Sequence, residues 1–189
     1  MCGFVGFFGG DSLKVKEGAE ALLQRMADTI SNRGPDDSGY WCDMDQQIGL
    51  GHRRLSIVDL SSAGHQPMIS ASGRYVIAFN GEIYNHNDLR KVLGVNSWRG
   101  HSDTETLLAG FDHWGIQGAV DRAVGMFAFA VWDKIENTLF LGRDRIGEKP
   151  LYYGWQGNSF LFASELKALK KHPAFKAEIS RESVCLFLR

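Results

Sequence analysis

Several features that would place a protein in a specialised class are scarce or absent in this 189-residue sequence. It has three cysteines, Cys2, Cys42 and Cys185, whose odd number and wide spacing argue against a disulfide framework and against a metal site. No apolar run approaches the ~18 residues of a membrane span, and no secretory signal is visible at the N-terminus. We therefore expect a cytoplasmic protein with reduced thiols and no membrane partner.

The sequence also has no excess of charge of either sign. Its 21 lysines and arginines nearly balance 22 aspartates and glutamates, and it contains no basic run. Nucleic acid is therefore not an expected partner, since binding to it needs a concentration of positive charge. The composition is that of a globular protein, 44% hydrophobic with 12 phenylalanines and 5 tryptophans, and the length favours one domain with one substantial core.

Hydrophobic periodicity predicts a mixture of helices and strands. Apolar residues recur at helical spacing over residues 16–31, and Gly34 and Pro35 then end that helix. A capping-box pattern at Ser102–Glu105 predicts a second helix, which Gly115 should stop. Further helices are expected near residues 87–89, after Ser164 and from Ser180. Strands are expected in the first apolar run and at 38–43, 47–51, 54–59, 74–80, 126–132, 139–143, 151–155 and 160–163.

The strand at 126–132 is apolar on both of its alternating faces, so its sheet should be covered on both sides. Helices at the beginning, middle and end of the chain surround many such strands. This order predicts an α+β fold in which two sheets pack together and helices lie outside them.

Cys2 directly follows the initiator methionine, inside a glycine-spaced apolar run. It could be a small core residue, but a lipidated cysteine needs a leader that the sequence lacks, and a metal ligand needs nearby partners. The position itself offers another role. Aminopeptidases remove an initiator methionine ahead of a small side chain, which would leave a thiol and a free α-amine on one residue. Such an amine has a reference pKa of about 7.7 to 8.0 and can accept the proton of its own thiol, as in N-terminal nucleophiles.

Three other stretches allow a structural and a chemical interpretation each. Asn80-Gly81 is typical of a tight turn, but an amide beside a glycine N–H also offers two donors for an oxyanion. Arg54 suits either an ion pair at the surface or a bidentate clamp on a carboxylate. Asp103 suits either the first turn of a helix or the recognition of an ammonium group.

Taken together, these stretches resemble the glutaminase domain of class II glutamine amidotransferases, and specifically the glutamine-dependent asparagine synthetase family. The matching segments occur in the family's order and cover nearly the whole chain. They are Met1–Gly3, Arg33–Asp36, His52–Asp59, His65–Met68, Asn80–Asn85, Ser102–Glu105, Arg143–Tyr153 and Ser164–Lys167.

The resemblance implies a four-layer α/β/β/α N-terminal-nucleophile hydrolase fold with two stacked antiparallel sheets. It implies that Cys2, freed of Met1, attacks the side-chain amide of L-glutamine to give a γ-glutamyl thioester and ammonia, and that water then releases glutamate. Asn80 and Gly81 match the oxyanion donors. The substrate-binding positions are Arg54 at the α-carboxylate, Glu82 and Asp103 near the α-ammonium, and Leu55, Ile57 and Val58 along the pocket mainly through their backbone. The resemblance implies no cofactor and no metal for this domain.

The resemblance also suggests what would accompany the domain. Residues 1–179 match the glutaminase domain, and residues 180–189 match the start of a linker to a C-terminal synthetase domain of the same full-length chain, which would use ATP and Mg and receive the ammonia. A homodimer is compatible with the family.

The acceptor of the ammonia is left open between aspartate and a sugar acid of surface-polysaccharide synthesis. A relative from the amino-sugar or purine branches fits the segments His52–Asp59 and Glu82–Asn85 less well, and a non-catalytic glutamine-binding module would be expected to lose Cys2 or Asn80.

Overall fold

The computed structural model describes residues 1–10, 16–57 and 59–188. Within these residues the chain forms nine β-strands and five α-helices. The strands are β1 (Gly3–Phe8), β2 (Asp37–Asp43), β3 (Ile48–Arg54), β4 (Met68–Ile69), β5 (Tyr75–Ile83), β6 (Gly125–Asp133), β7 (Thr138–Arg143), β8 (Tyr152–Gln156) and β9 (Ser159–Ala163). The helices are α1 (Lys16–Asp28), α2 (His86–Leu93), α3 (Asp103–Arg122), α4 (Leu166–Leu169) and α5 (Arg181–Phe187).

The described strands form two sheets in which every neighbouring pair is antiparallel. The first sheet has the order β2-β3-β1-β9-β8, and the second has the order β4-β5-β6-β7. The apolar character of β6 on both faces follows from its place in the second sheet. Ala128, Ala130 and Trp132 pack against the first sheet, whereas Phe127 and Phe129 pack against the helices on the other side.

Three apolar cores separate four layers. One core lies between the sheets, one lies between the first sheet and helices α1 and α4, and one lies between the second sheet and helices α2 and α3. The side chains between the sheets include Phe4, Leu50, Trp132 and Phe162, all fully buried. The predicted α/β/β/α fold class is therefore confirmed. Among the described helices, none is long and apolar enough to cross a membrane.

The prediction of a strand over residues 54–59 was wrong. Strand β3 ends at Arg54, and the chain that follows is irregular, with Val58 outside the described residues. The reason is the lack of partners. The pairing of β3 with its two neighbours ends at Arg53 and Arg54, so an apolar pattern beyond that point has no sheet to join. Accordingly, Ile57 is 70% exposed.

The end predicted for the second helix at Gly115 was only half correct. Gly115 has φ 72° and ψ 168°, which interrupts the helix, because glycine adopts this backbone conformation without a Cβ penalty. The chain then becomes helical again and continues to Arg122. Ile116 and Val120 in this second part pack against the core of the second sheet, which explains why the helix resumes.

Candidate active site

Cys2 lies immediately before β1, beside the residue at which the chain leaves β3. Its sulfur lies 3.4 Å from the backbone nitrogen of Leu55, which donates to it, and 3.5 Å from the carbonyl oxygen of Leu55. Burial raises the pKa of the Cys2 thiol, although the Leu55 N–H, the chain terminus and Arg54 act in the opposite direction. A thiol with a raised pKa is protonated at neutral pH, so attack by this sulfur requires a nearby base.

The backbone of Cys2 is held by an arginine that sequence reasoning did not assign to the site. The Nε of Arg33 donates to the Cys2 carbonyl oxygen at 2.8 Å, and its Nη1 donates to the Glu165 carboxylate at 3.2 Å. A Cβ at Gly3 would lie 3.0 Å from the Arg33 side chain, so the glycine lets that side chain cross the strand closely. Arg33 belongs to the segment Arg33–Asp36, which matches the family. Its contact with Cys2 could not be predicted from local spacing, because the two residues are 31 positions apart.

Asn80 and Gly81 do not form a turn. Strand β5 runs through both residues and ends at Ile83. A Cβ at Gly81 would lie 2.4 Å from the Met126 carbonyl oxygen, so glycine is required by the close approach of β6. Asn80 is only 1% exposed, and its Nδ2 has no hydrogen-bond partner among the described residues. A buried donor without a partner is unfavourable, so a donor kept in this state fits a ligand that accepts its hydrogen bond.

The outer edge of β5 offers a second donor at the same place. Strand β4 pairs with β5 only as far as Ile77. Beyond that point the N–H groups of Phe79 and Ile83 donate to the side chains of Gln66, at 2.7 Å, and of Asp103, at 2.8 Å. Alternate N–H groups of a strand point to the same edge, so the N–H of Gly81 lies between these two bonds and faces the same side.

Arg54 is buried and firmly positioned at the end of β3. Its Nη1 donates to the Ser61 carbonyl oxygen at 2.9 Å, and its Nη2 donates to the Asp59 carbonyl oxygen. A Cβ at Gly64 would lie 2.0 Å from Nη2, so only glycine leaves room for the guanidinium. A guanidinium has five N–H donors, so Arg54 keeps donors for a carboxylate ligand.

Asp59 organises the loop that holds Arg54, and sequence reasoning gave it no role of its own. Its carboxylate accepts hydrogen bonds from the Ser61 hydroxyl at 2.6 Å and from the His101 N–H at 2.7 Å. The Ser61 hydroxyl, the His101 N–H and the nearby Arg54 lower the pKa of Asp59 to about 2. The ionised carboxylate thus connects the loop after β3 to the segment that leads into α3.

Asp103 is the first residue of α3, after Ser102, whose hydroxyl accepts from the Glu105 N–H at 3.2 Å as a helix cap. The Asp103 carboxylate accepts from the N–H of Ile83 at 2.8 Å and from its neighbour Thr104 at 2.9 Å. Burial raises the pKa of the Asp103 carboxyl. Each of its two oxygens accepts one of these hydrogen bonds, which leaves lone pairs for an ammonium group.

All the predicted site residues that the structure describes border a single cavity of about 120 Å³. They are Cys2, Arg54, Leu55, Ile57, Asn80, Gly81, Glu82 and Asp103. Val58, also predicted, lies outside the described residues. Met1 lines the same cavity, so its removal would enlarge it. A cavity that combines a guanidinium with two carboxylates suits an amino acid, which carries both charges.

His52 does not contribute to this cavity, although it belongs to the same sequence segment as Arg54. Its Nε2 lies 2.9 Å from the Phe79 carbonyl oxygen and donates to it across the two sheets. Burial lowers the pKa of His52 to about 4. The ring is therefore neutral at pH 7 and has a structural role in the core.

Comparisons with known proteins give results in line with this geometry. A family model described as a glutamine amidotransferase domain matches residues 1–189. Glutamine-hydrolyzing asparagine synthetase 3 of Bacillus subtilis (strain 168) is 45% identical over 188 residues, which cover 96% of this chain and 29% of that protein. Glutamine-hydrolyzing asparagine synthetase 2 of the same strain is 42% identical over 173 residues, which cover 92% of this chain and 23% of that protein. The chain therefore spans less than a third of the length of these relatives.

A solved structure shares the fold at low sequence identity. The glutamine phosphoribosylpyrophosphate amidotransferase from B. subtilis superposes with a TM-score of 0.74 and 19% identity, over 89% of this chain and 43% of that chain. At this identity the likeness concerns the fold alone. It agrees with two stacked antiparallel sheets between layers of helices.

Proposed function

Because the chain belongs to the glutamine amidotransferase domain family, we propose that it hydrolyses the side-chain amide of L-glutamine through a thioester on Cys2. The observation that carries this proposal is the pairing of a thiol with an unused donor. The Asn80 amide nitrogen is buried without a partner and borders the same cavity as the Cys2 sulfur. Acyl transfer needs this pairing of a nucleophile with a preorganised donor for the oxyanion.

In the proposed reaction, Met1 is first removed and the α-amine of Cys2 takes the proton of the thiol. The sulfur then attacks the amide carbon of glutamine, and Asn80 and Gly81 donate hydrogen bonds to the oxygen as it becomes negative. The C–N bond breaks as the α-ammonium returns its proton to the leaving nitrogen, which departs as ammonia. A water molecule, deprotonated by the same amine, hydrolyses the thioester and releases glutamate.

The proposed recognition of glutamine uses the charged side chains that line the cavity. Arg54 binds the α-carboxylate, and Asp103 and Glu82 bind the α-ammonium. Leu55 and Ile57 also line the cavity, and Val58 is proposed to do the same. This domain would need no metal and no cofactor for these steps, because the thiol, the amine and the donors are all protein groups.

A diazo-ketone analogue of glutamine tests the proposal directly. Such a reagent alkylates a nucleophile that a glutamine pocket places beside it. After incubation, we expect the intact mass to correspond to a chain that lacks Met1 and carries one adduct, which peptide mapping places on Cys2. Excess L-glutamine should slow the labelling. A processed chain that stays unlabelled, or a label on Cys42 or Cys185, would contradict the proposal.

Replacing Arg54 with Ala should raise the KM for glutamine by about 10- to 100-fold, since a charge-assisted hydrogen bond contributes about 1.5–3 kcal/mol. The kcat should change much less, because the α-carboxylate lies away from the reacting amide. Arg53→Ala is the matched control, because Arg53 pairs with Asp28 and does not border the cavity. Steady-state kinetics of glutamate release measure both constants, and an unchanged KM in Arg54→Ala would remove Arg54 from the pocket.

For the whole protein, we propose that the ammonia serves an ATP-dependent amide-forming domain, as the names of the relatives suggest, with aspartate as the favoured acceptor. ATP and Mg would bind to that domain. Helix α5 has no buried residue among those described, which suits a segment that leads toward further protein. We also propose a cytoplasmic location, where the catalytic thiol would stay reduced.

A further inference from the structure

Lys149 lies in the loop between β7 and β8, and its backbone is fixed on both sides. Its N–H donates to the Asp144 carboxylate at 3.1 Å, and its carbonyl oxygen accepts from the Arg143 Nε at 2.5 Å. Asp144 also accepts from the N–H groups of Phe127 and Glu148, so the loop is tied to the start of β6. The lysine side chain is therefore presented from a rigid position, although sequence reasoning gave it no role.

The side chain of Lys149 is buried, with 5% of the residue exposed, and it borders the cavity that contains Cys2. Its ammonium donates to the thioether sulfur of Met1 at 3.3 Å. A thioether is a weak acceptor, and none of the ion pairs between described residues involves Lys149. The positive charge of a buried ammonium is poorly compensated by so weak a partner. That partner is part of Met1, the residue whose peptide bond holds the nitrogen of Cys2.

We propose that Lys149 holds the α-amine of the mature Cys2 in its neutral, proton-accepting form. The inference rests on the proposed function, because removal of Met1 creates this amine and also takes away the sulfur that now accepts from Lys149. A neutral amine offers a lone pair to the lysine ammonium, whereas a protonated amine would place two positive charges in the same small cavity. The α-amine gives up its proton first, since a lysine amine is ordinarily the stronger base of the two.

The other charges around the cavity have partners or proposed roles of their own. Glu82 on β5 and Asp103 on α3 are negative and would favour a protonated amine, but the proposed function assigns them to the ammonium of the substrate. Asp59 is engaged by Ser61 and His101. Arg54 is a cation that acts on the Cys2 thiol, but backbone carbonyl groups hold it in place, and the proposed function assigns its remaining donors to the carboxylate of the substrate. Arg33 is positive and close, but it bonds to the Cys2 carbonyl oxygen and to Glu165. Lys149 is the cation whose present partner disappears when Met1 is removed.

The test compares Lys149→Met, which keeps the length of the side chain without its charge, with Lys149→Arg, which keeps the charge. Each chain is released from a cleavable N-terminal fusion so that Cys2 is the first residue, and intact mass confirms this. Labelling with ¹³C-cysteine then lets NMR follow the Cα of Cys2 against pH, with Cys2→Ala identifying its signal. We expect Lys149→Met to raise the titration midpoint of the α-amine by about one pH unit, a tenfold change in the equilibrium. Lys149→Arg and the exposed control Lys170→Met should titrate like the unmodified chain.

Glutamine hydrolysis gives the second readout. The acid limb of kcat/KM against pH should move upward by the same amount in Lys149→Met, while activity at high pH approaches that of the unmodified chain. A midpoint that stays in place in Lys149→Met would overturn the inference. If the midpoint moves but the unmodified, correctly started chain hydrolyses no glutamine, the role of Lys149 stands and the proposed function fails.

Discussion

Replacing Cys2 with Ala should abolish glutamine hydrolysis, by about 10³-fold or more, while the domain stays folded. The loss is large because the proposed thioester cannot form without the sulfur, and a base alone leaves only slow attack by water. The fold should persist because Cys2 precedes β1 and its sulfur forms hydrogen bonds only with the backbone of Leu55 among the described residues. A coupled assay for glutamate measures the activity, and thermal unfolding measures the stability.

Two further variants separate the roles of the thiol and the amine. Cys185→Ala should keep full activity, because Cys185 is an exposed residue of α5. A chain with one extra residue that stays attached ahead of Cys2 should be as inactive as Cys2→Ala, because its thiol is intact but its amine is part of a peptide bond. Substantial hydrolysis by Cys2→Ala would overturn the mechanism, and substantial hydrolysis by the extended chain would remove the amine as the base.

The parts of the structure that the sequence predicted well depend on local patterns. The apolar residues on both faces of β6 indicate from the sequence alone that both faces are buried. The helix cap at Ser102 was predictable because it accepts a hydrogen bond from a residue only three positions away. The overall layering followed from such runs because each apolar face must be covered. The cluster of Cys2, Arg54, Asn80 and Asp103 was predicted only through the resemblance to a family, since nothing local brings these four residues together.

The failures concern contacts between distant positions. Asn80-Gly81 has the pattern of a turn, and only the pairing with β6 decides that it continues a strand. The residues after Arg54 alternate like a strand, yet they have no neighbour with which to pair. Arg33 and Lys149 act on the N-terminal segment from 31 and 148 positions away, and neither spacing leaves a periodic signal in the sequence.

Replacing Asn80 with Ala should lower kcat by about 10²- to 10³-fold with little change in KM, which is the size of effect expected for the loss of one oxyanion donor. The reason is that the amide donates only to the oxygen that becomes negative during the reaction. The free energy of unfolding should hardly fall. In the free protein the Asn80 Nδ2 is buried with no partner among the described residues, so the variant removes an unsatisfied donor. Glutamate release and urea unfolding measure the two effects separately.

Asn85→Ala is the matched control. Asn85 lies just after the end of the same strand, but the hydrogen bonds of its side chain go to the protein backbone. Its side chain donates to the Arg122 carbonyl oxygen and accepts from the Val124 N–H, both at 2.9 Å. This variant should lose about 1–2 kcal/mol of stability and keep its kcat. The two asparagines thus predict opposite outcomes, since one is satisfied by the fold and the other is reserved for the reaction. If Asn80→Ala were destabilised like Asn85→Ala and kept its kcat, its amide would be structural and the oxyanion would need another donor.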